Sequence, residues 1–255
     1  MEETSVHEID FTLINEFFTE LERQGPGSAQ ESIRALGFIN HLTSNAKIAD
    51  LGCGTGYQTF VLAQNTEASI TALDLSTSSI DKLNKKAVHL GLQNRVKGIV
   101  GSMDSLPFQK EEFDLIWSEG AIANIGFEKG LNYWKDFLKK DAYIAITYES
   151  WFTQERPMEI EKWWKDAVPE INTIGHNVSI MQKTGYIPVA TFILPETCWT
   201  DHYFVPQKAR QVEFLKKHAG NKTAEDMIAF LRREEDLYAK YKQYYGYVFY
   251  IGKKL

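Results

Sequence analysis

Cysteine is scarce in this chain: only Cys53 and Cys198 occur in 255 residues, so no disulfide framework is implied. Long apolar runs are missing too. None approaches the roughly 20 residues a bilayer span requires, and membrane insertion is not expected. The start, Met1-Glu2-Glu3-Thr4, lacks the basic and apolar regions of a secretory signal. Asn177-Val178-Ser179 and Asn221-Lys222-Thr223 fit a glycosylation pattern but read as chance matches, and a cytoplasmic location is expected. There is no excess of positive charge. Against 28 Lys and Arg stand 34 Asp and Glu, a net charge of -6 with the signs mixed along the chain. Nucleic acid, which needs clustered cations, is not an expected partner. The six histidines (7, 41, 89, 176, 202, 218) are scattered and no pair has metal-ligand spacing, so no metal is expected. Proline numbers only seven, and no linker-like tract divides the chain.

Periodicity supplies what composition does not. Leu13, Ile14, Phe17, Phe18 and Leu21 recur at helical spacing over residues 11–22. Arg23-Gln24-Gly25-Pro26-Gly27 breaks that helix. Ser28 and Glu31 have capping-box spacing for a second helix ending about His41. Strands then alternate with helices. Lys47–Leu51, Ser69–Asp74, Arg95–Val100, Phe113–Ser118 and Ala142–Tyr148 read as strands. Thr59–Gln64, Ser79–Leu90 and a segment near Lys129–Lys139 read as helices. That order predicts an α/β fold with a doubly wound, mostly parallel sheet. Further on, Ile160–Ala167 reads as a helix, and Tyr186–Leu194 and Tyr247–Gly252 as two more strands. Residues 195–245 read as an insertion with a strong helix from Thr223 to about Tyr245.

The segment Asp50-Leu51-Gly52-Cys53-Gly54-Thr55-Gly56 ends a buried strand and opens a helix. Glycines there let backbone approach a ligand closely. Asp74 lies 24 residues after Asp50, a separation that brings both carboxylates to the same edge of the sheet. A carboxylate at that edge can accept hydrogen bonds from both hydroxyls of a ribose. A nicotinamide-binding turn would need glycine at position 57, where this chain has Tyr57.

Residues 50–56 resemble the first motif of class I, Rossmann-like S-adenosylmethionine (SAM)-dependent methyltransferases. Ala72-Leu73-Asp74-Leu75-Ser76 resembles their ribose-binding motif. Gly101-Ser102-Met103-Asp104-Ser105-Leu106-Pro107-Phe108 resembles the segment that flanks the adenine, and Glu112–Glu119 resembles the fourth strand. The resemblance implies an antiparallel C-terminal strand pair, SAM as cofactor and a small-molecule methyl acceptor. It implies one domain over 1–255: an N-terminal helical segment 1–45, a cofactor-binding core 46–150, and a substrate-side region with the insertion over 151–255. The cofactor residues it marks are Asp50, Gly52, Cys53, Gly54, Gly56, Asp74, Leu75, Ser102, Met103, Asp104, Ser118 and Glu119. Ser102 stands where the family often has an acidic residue, which leaves the adenine contact to Ser102, a neighbouring backbone group or Asp104. Ser118-Glu119-Gly120-Ala121 lacks the Asn/Asp-Pro-Pro-aromatic signature of enzymes that methylate DNA bases.

Candidates for a general base are Glu119, Tyr148, Glu149 and His176. The N-terminal helix and the insertion aromatics Trp199, His202, Tyr203 and Phe204 are expected to cover the acceptor pocket. The competing functions are a SAM-binding regulator without turnover and a nicotinamide-dependent oxidoreductase.

Overall fold

In the computed structural model, which describes residues 10–40 and 42–255, the strand-helix alternation builds one mixed sheet. The first four residues, His7 and His41 lie outside the described residues. Strands β1 (Lys47–Leu51), β2 (Ser69–Asp74), β3 (Val96–Val100), β4 (Phe113–Ser118) and β5 (Leu138–Trp151) run parallel. The last two major strands, β7 (Tyr186–Ile193) and β8 (Tyr245–Lys254), pair antiparallel, and β8 lies antiparallel against β5. The order is β3-β2-β1-β4-β5-β8-β7, with the two-residue β6 (Asn172–Thr173) beside the end of β5. Strand order reverses between β1 and β4. At such a point the connections leave to opposite faces and open a crevice at the carboxyl ends of the strands. Ile48, Leu51, Leu115, Ile116 and Trp117 have no exposed surface, which explains the unbroken apolar runs of β1 and β4: both faces are covered. Helices α3 (Tyr57–Asn65), α4 (Thr77–His89) and α5 (Phe127–Trp134) connect these strands.

Several elements depart from the sequence-based boundaries. β5 runs fourteen residues, to Trp151, because β8 pairs with it from Tyr143 through Trp151. The helix expected near Lys129–Lys139 begins at Phe127 and tightens into a 3-10 turn over Lys135–Phe137. The helix α2 (Ala29–Leu36), capped by the Ser28 side chain, stops before residue 41. The long helix of the insertion, α10, spans Lys222–Tyr241, and Tyr245 opens β8 instead of closing that helix. A run with Tyr at 241, 244, 245 and 247 satisfies helical and strand periods equally. Helix α6 (Met158–Ala167) matches its expected position, whereas α7 (Ile174–Lys183) and α9 (Val205–Lys217) were not legible as separate elements. A three-residue turn, α8 (Thr197–Trp199), and a π-helical turn over Thr200–Phe204 lead into α9.

The N-terminal helix α1 (Phe11–Thr19), capped by Asp10, packs in an apolar cluster separate from the sheet core. Leu13, Phe17 and Leu21 join Phe214 of α9 and Met227, Ile228 and Leu231 of α10 in a second apolar cluster. The last four carbonyls of a helix lack intrahelical donors. Here neighbours supply them. Arg210 of α9 donates to Glu16 O and Phe17 O, Gln24 to Phe18 O, and Lys82 of α4 to Thr19 O. Asn15 bonds the hydroxyls of Ser76 and Ser78 at the start of α4. The helix is thereby fixed across the carboxyl edge of the sheet.

Candidate functional site

Between that edge and α1 lies a cavity of about 410 Å³. Its floor is the glycine turn after β1. Gly52, Gly54 and Gly56 have φ of 71°, 53° and 87°, the left-handed region where a Cβ is strained. The space a Cβ would take is filled mainly by the protein itself: at Gly54 it would stand 2.2 Å from Gln24 Oε1, and at Gly52 2.3 Å from Ala121 Cβ. The glycines therefore let other segments close on the turn, and that closure shapes the cavity.

Asp74, at the end of β2, ties the turn in place. One carboxylate oxygen accepts from Gly54 N at 2.8 Å and the other from Ser76 N at 2.8 Å. An ionised carboxylate has about four lone-pair directions, so acceptor capacity remains toward the cavity, which Asp74 lines. Leu75 and Met103 add apolar rim.

The opposite wall is the strap 22–26, read in the sequence only as a helix breaker. Arg23 Nε donates to Gly25 O at 2.9 Å, and Nη2 reaches Pro26 O and a carboxylate oxygen of Glu119. Both partners of the Arg23–Glu119 ion pair are buried, at 8% and 2% side-chain exposure. Glu119 also accepts from Ser32 Oγ at 2.6 Å and Trp117 Nε1 at 2.9 Å. A buried charge needs this degree of satisfaction. Arg23 Nη1, in contrast, is buried with no hydrogen-bond partner among the described residues. An orphaned cationic donor in a cavity wall is a place for an anionic group of a ligand. The strap was missed because Arg23 and Gln24 sit in a Gly- and Pro-rich break that carries no periodicity.

The structure brings Gly52, Cys53, Gly54, Asp74, Leu75, Met103 and Glu119 to the cavity. It corrects the placement of the others. Asp50 is fully buried beneath the turn, where Thr59 Oγ1 donates to it at 2.5 Å and Gln58 Nε2 at 3.3 Å; burial raises its pKa to about 7. It organises the turn and does not face the cavity. Gly56 begins α3 and is covered by Leu83. Ser118 donates to Leu51 O at 2.8 Å inside the sheet. Ser102 and Asp104 bond each other at the exposed side of their loop, and only Met103 between them reaches in. Among the base candidates, Tyr148 is buried against Phe127, and His176 is exposed on α7. Glu149 is buried one layer behind the cavity, with the Tyr247 hydroxyl bonded to it.

The expected cover forms only in part. Phe11, Ile14 and Phe18 of α1 line the cavity, whereas Trp199, Tyr203 and Phe204 do not; these are buried in an aromatic cluster with Tyr238. His202 is exposed. Cys53 and Cys198 are both free and buried, and burial pushes both thiols up. Among the described residues no three His, Cys, Asp or Glu side chains gather as metal ligands, and no helix is long and apolar enough to cross a membrane.

Comparison with known proteins agrees with this fold. A SAM-dependent methyltransferase from Geobacter sulfurreducens, solved with S-adenosylhomocysteine, superposes with a TM-score of 0.82 at 18% identity, over 97% of this chain and 99% of its own. One from Thiobacillus denitrificans, also with S-adenosylhomocysteine, gives 0.79 at 21% identity, over 96% and 98%. The biotin biosynthesis bifunctional protein BioHC of Teredinibacter turnerae is 26% identical over 231 residues, 79% of this chain and 39% of that protein. The chain thus spans well under half the length of that curated relative. Residues 42–223 match the family described as methyltransferase domain. The chain belongs to that methyltransferase family.

Proposed function

We propose that this protein is a SAM-dependent methyltransferase acting on a small-molecule acceptor. One observation carries the reading: at a sheet switch point, the Asp74 carboxylate anchors a left-handed glycine turn and keeps acceptor capacity toward the cavity beside it. In this reading Asp74 holds the ribose hydroxyls, Leu75 and Met103 flank the base, and Arg23 Nη1 takes the carboxylate of the methionine part. SAM supplies a methyl group already activated by its sulfonium charge. The chain's task is to hold a nucleophile and that methyl in line, and positioning supplies much of the acceleration. The S-adenosylhomocysteine in the two structural neighbours supports the choice of donor. Unpaired Cys53 and Cys198 fit a reducing compartment, and we place the reaction in the cytoplasm.

Titration calorimetry tests the donor. SAM and S-adenosylhomocysteine should both bind and NAD should not. Binding of NAD in place of SAM would overturn the reading. Formation of S-adenosylhomocysteine on adding an acceptor separates an enzyme from a SAM-binding regulator.

A further inference from the structure

Behind the cavity, four titratable side chains from four elements converge. Glu149 of β5 and Tyr247 of β8 are directly opposed across the strand pair, and the Tyr247 hydroxyl donates to the carboxylate. Tyr203, in the π-helical turn, donates to Glu234 of α10 at 3.1 Å. The two pairs lie close enough that Glu149 and Glu234 repel each other and each raises the other pair's tyrosine. No Lys, Arg or His is bonded to either carboxylate among the described residues. Glu149 is only 6% exposed. Glu234 is partly exposed, and two neighbouring carboxylates, one of them buried, with no cation bonded to either are costly.

Aromatic rings and vacant donors surround them. Trp199 lies 5.3 Å from Tyr247 and 6.1 Å from Tyr203, centroid to centroid. Gln207 is 1% exposed, and its Nε2 lies against the Tyr203 hydroxyl without making a full hydrogen bond. The indole N–H of Trp199, itself 1% exposed, is also unpartnered. Buried donors without acceptors are also costly, though less so than an uncompensated charge, and together the two define complementary needs. The cluster adjoins the donor cavity. Phe18, which lines the cavity, stacks parallel on Tyr203 at 6.5 Å. Gly120 also lines it, and a Cβ there would stand 3.7 Å from the Tyr247 hydroxyl.

We infer that this cluster is the acceptor site, and that the acceptor is a small amine, cationic in water, that also carries a hydrogen-bond-accepting oxygen. The inference rests on the methyltransferase reading above and names the substrate class for it. The ammonium sits between Glu149 and Glu234 against the faces of Tyr203, Tyr247 and Trp199, where carboxylate and ring quadrupole act in the same sense. The oxygen takes the vacant N–H groups of Gln207 and Trp199. Phe18 must rotate off Tyr203 for entry. Burial raises the Glu149 carboxyl, which suits it to accept a proton. The proton passes from the ammonium nitrogen to Glu149. The freed lone pair then bonds the methyl carbon as the carbon–sulfur bond breaks, its electrons staying with sulfur. The products are a methylated ammonium and a neutral thioether.

The test is binding to the full chain saturated with S-adenosylhomocysteine, so that no turnover intervenes. The probes are sarcosine and 2-methylaminoethanol, with methoxyacetate and 2-methoxyethanol as isosteres in which an ether oxygen replaces the amine. Each amine should bind at least tenfold tighter than its ether. Glu234→Gln and Glu149→Gln should each weaken amine binding at least tenfold, with S-adenosylhomocysteine affinity within twofold of wild type. Glu234 is partly exposed, so its variant serves even if Glu149→Gln fails to fold. Amines that bind no better than ethers, amines that do not bind at all, or Gln variants that bind amines like wild type would overturn the inference and leave the carboxylates a core network. Failure to bind S-adenosylhomocysteine would instead overturn the methyltransferase reading.

Discussion

If Asp74 both anchors the turn and holds the ribose, its replacement should show both. Asp74→Ala leaves the N–H groups of Gly54 and Ser76 without their acceptor, an expected loss of about 1–3 kcal/mol of stability. It also removes the proposed ribose partner, so S-adenosylhomocysteine affinity should fall roughly ten- to a hundred-fold. Chemical denaturation and calorimetry on one sample read the two effects, and unchanged affinity would refute the ribose assignment. Gly54→Ala probes the turn differently. Its Cβ meets Gln24, the end of a flexible side chain, on top of a left-handed penalty of about 1–2 kcal/mol. We expect the double variant with Gln24→Ala to recover part of the lost affinity; strictly additive losses would show that Gln24 is not the obstruction. The turn and Asp74 were legible because local spacing sets them. Arg23 was not, because its role depends on Glu119, nearly a hundred residues away in sequence. Asp50 shows the converse: its spacing was read correctly, but its carboxylate turns inward to Thr59 and Gln58.

Helix α1 supplies part of the cavity wall through Phe11, Ile14 and Phe18. Phe17 has no exposed surface and meets Phe214 edge-on at 5.4 Å. Phe17→Ala should cost about 3–5 kcal/mol of local packing. The loss should appear as undocking of α1, since its cluster with α9 and α10 is separate from the sheet core. Hydrogen exchange should accelerate over residues 10–22 and not in β1 or β4, with weaker S-adenosylhomocysteine binding. Uniform acceleration across the sheet would mean that α1 is part of the main cooperative unit. The amphipathic pattern of residues 11–22 revealed this helix but not its partner, since an apolar face fits any apolar surface. Trp199 and Phe204 of the insertion pack on Tyr238 of α10 and not on the donor cavity; on the inference above, Trp199 and Tyr203 instead line the acceptor.

Across the whole molecule, function is set against stability in the buried carboxylates. The Glu234 pKa is raised to about 7, first by burial, with Glu149 adding repulsion. Such a group binds more protons folded than unfolded between its ordinary pKa and 7, so its contribution to stability falls as pH rises through that window. At pH 5 the folded protein carries Glu234 protonated, and Glu234→Gln should change little. At pH 8 the carboxylate must be charged inside the fold, and the variant should be more stable by about 1–2 kcal/mol, or roughly 2–8 °C in melting temperature. A variant equally stable at both pH values would argue that Glu234 is well solvated. Transfer of a methyl group from SAM to a small amine by this chain can be followed by mass spectrometry. The protein is incubated with SAM bearing a trideuteromethyl group and a mixture of small amines, alcohols and phenols. S-adenosylhomocysteine should form together with a trideuteromethylated amine. Label on an alcohol or phenol with the amines untouched, or SAM left intact with every acceptor, would contradict it.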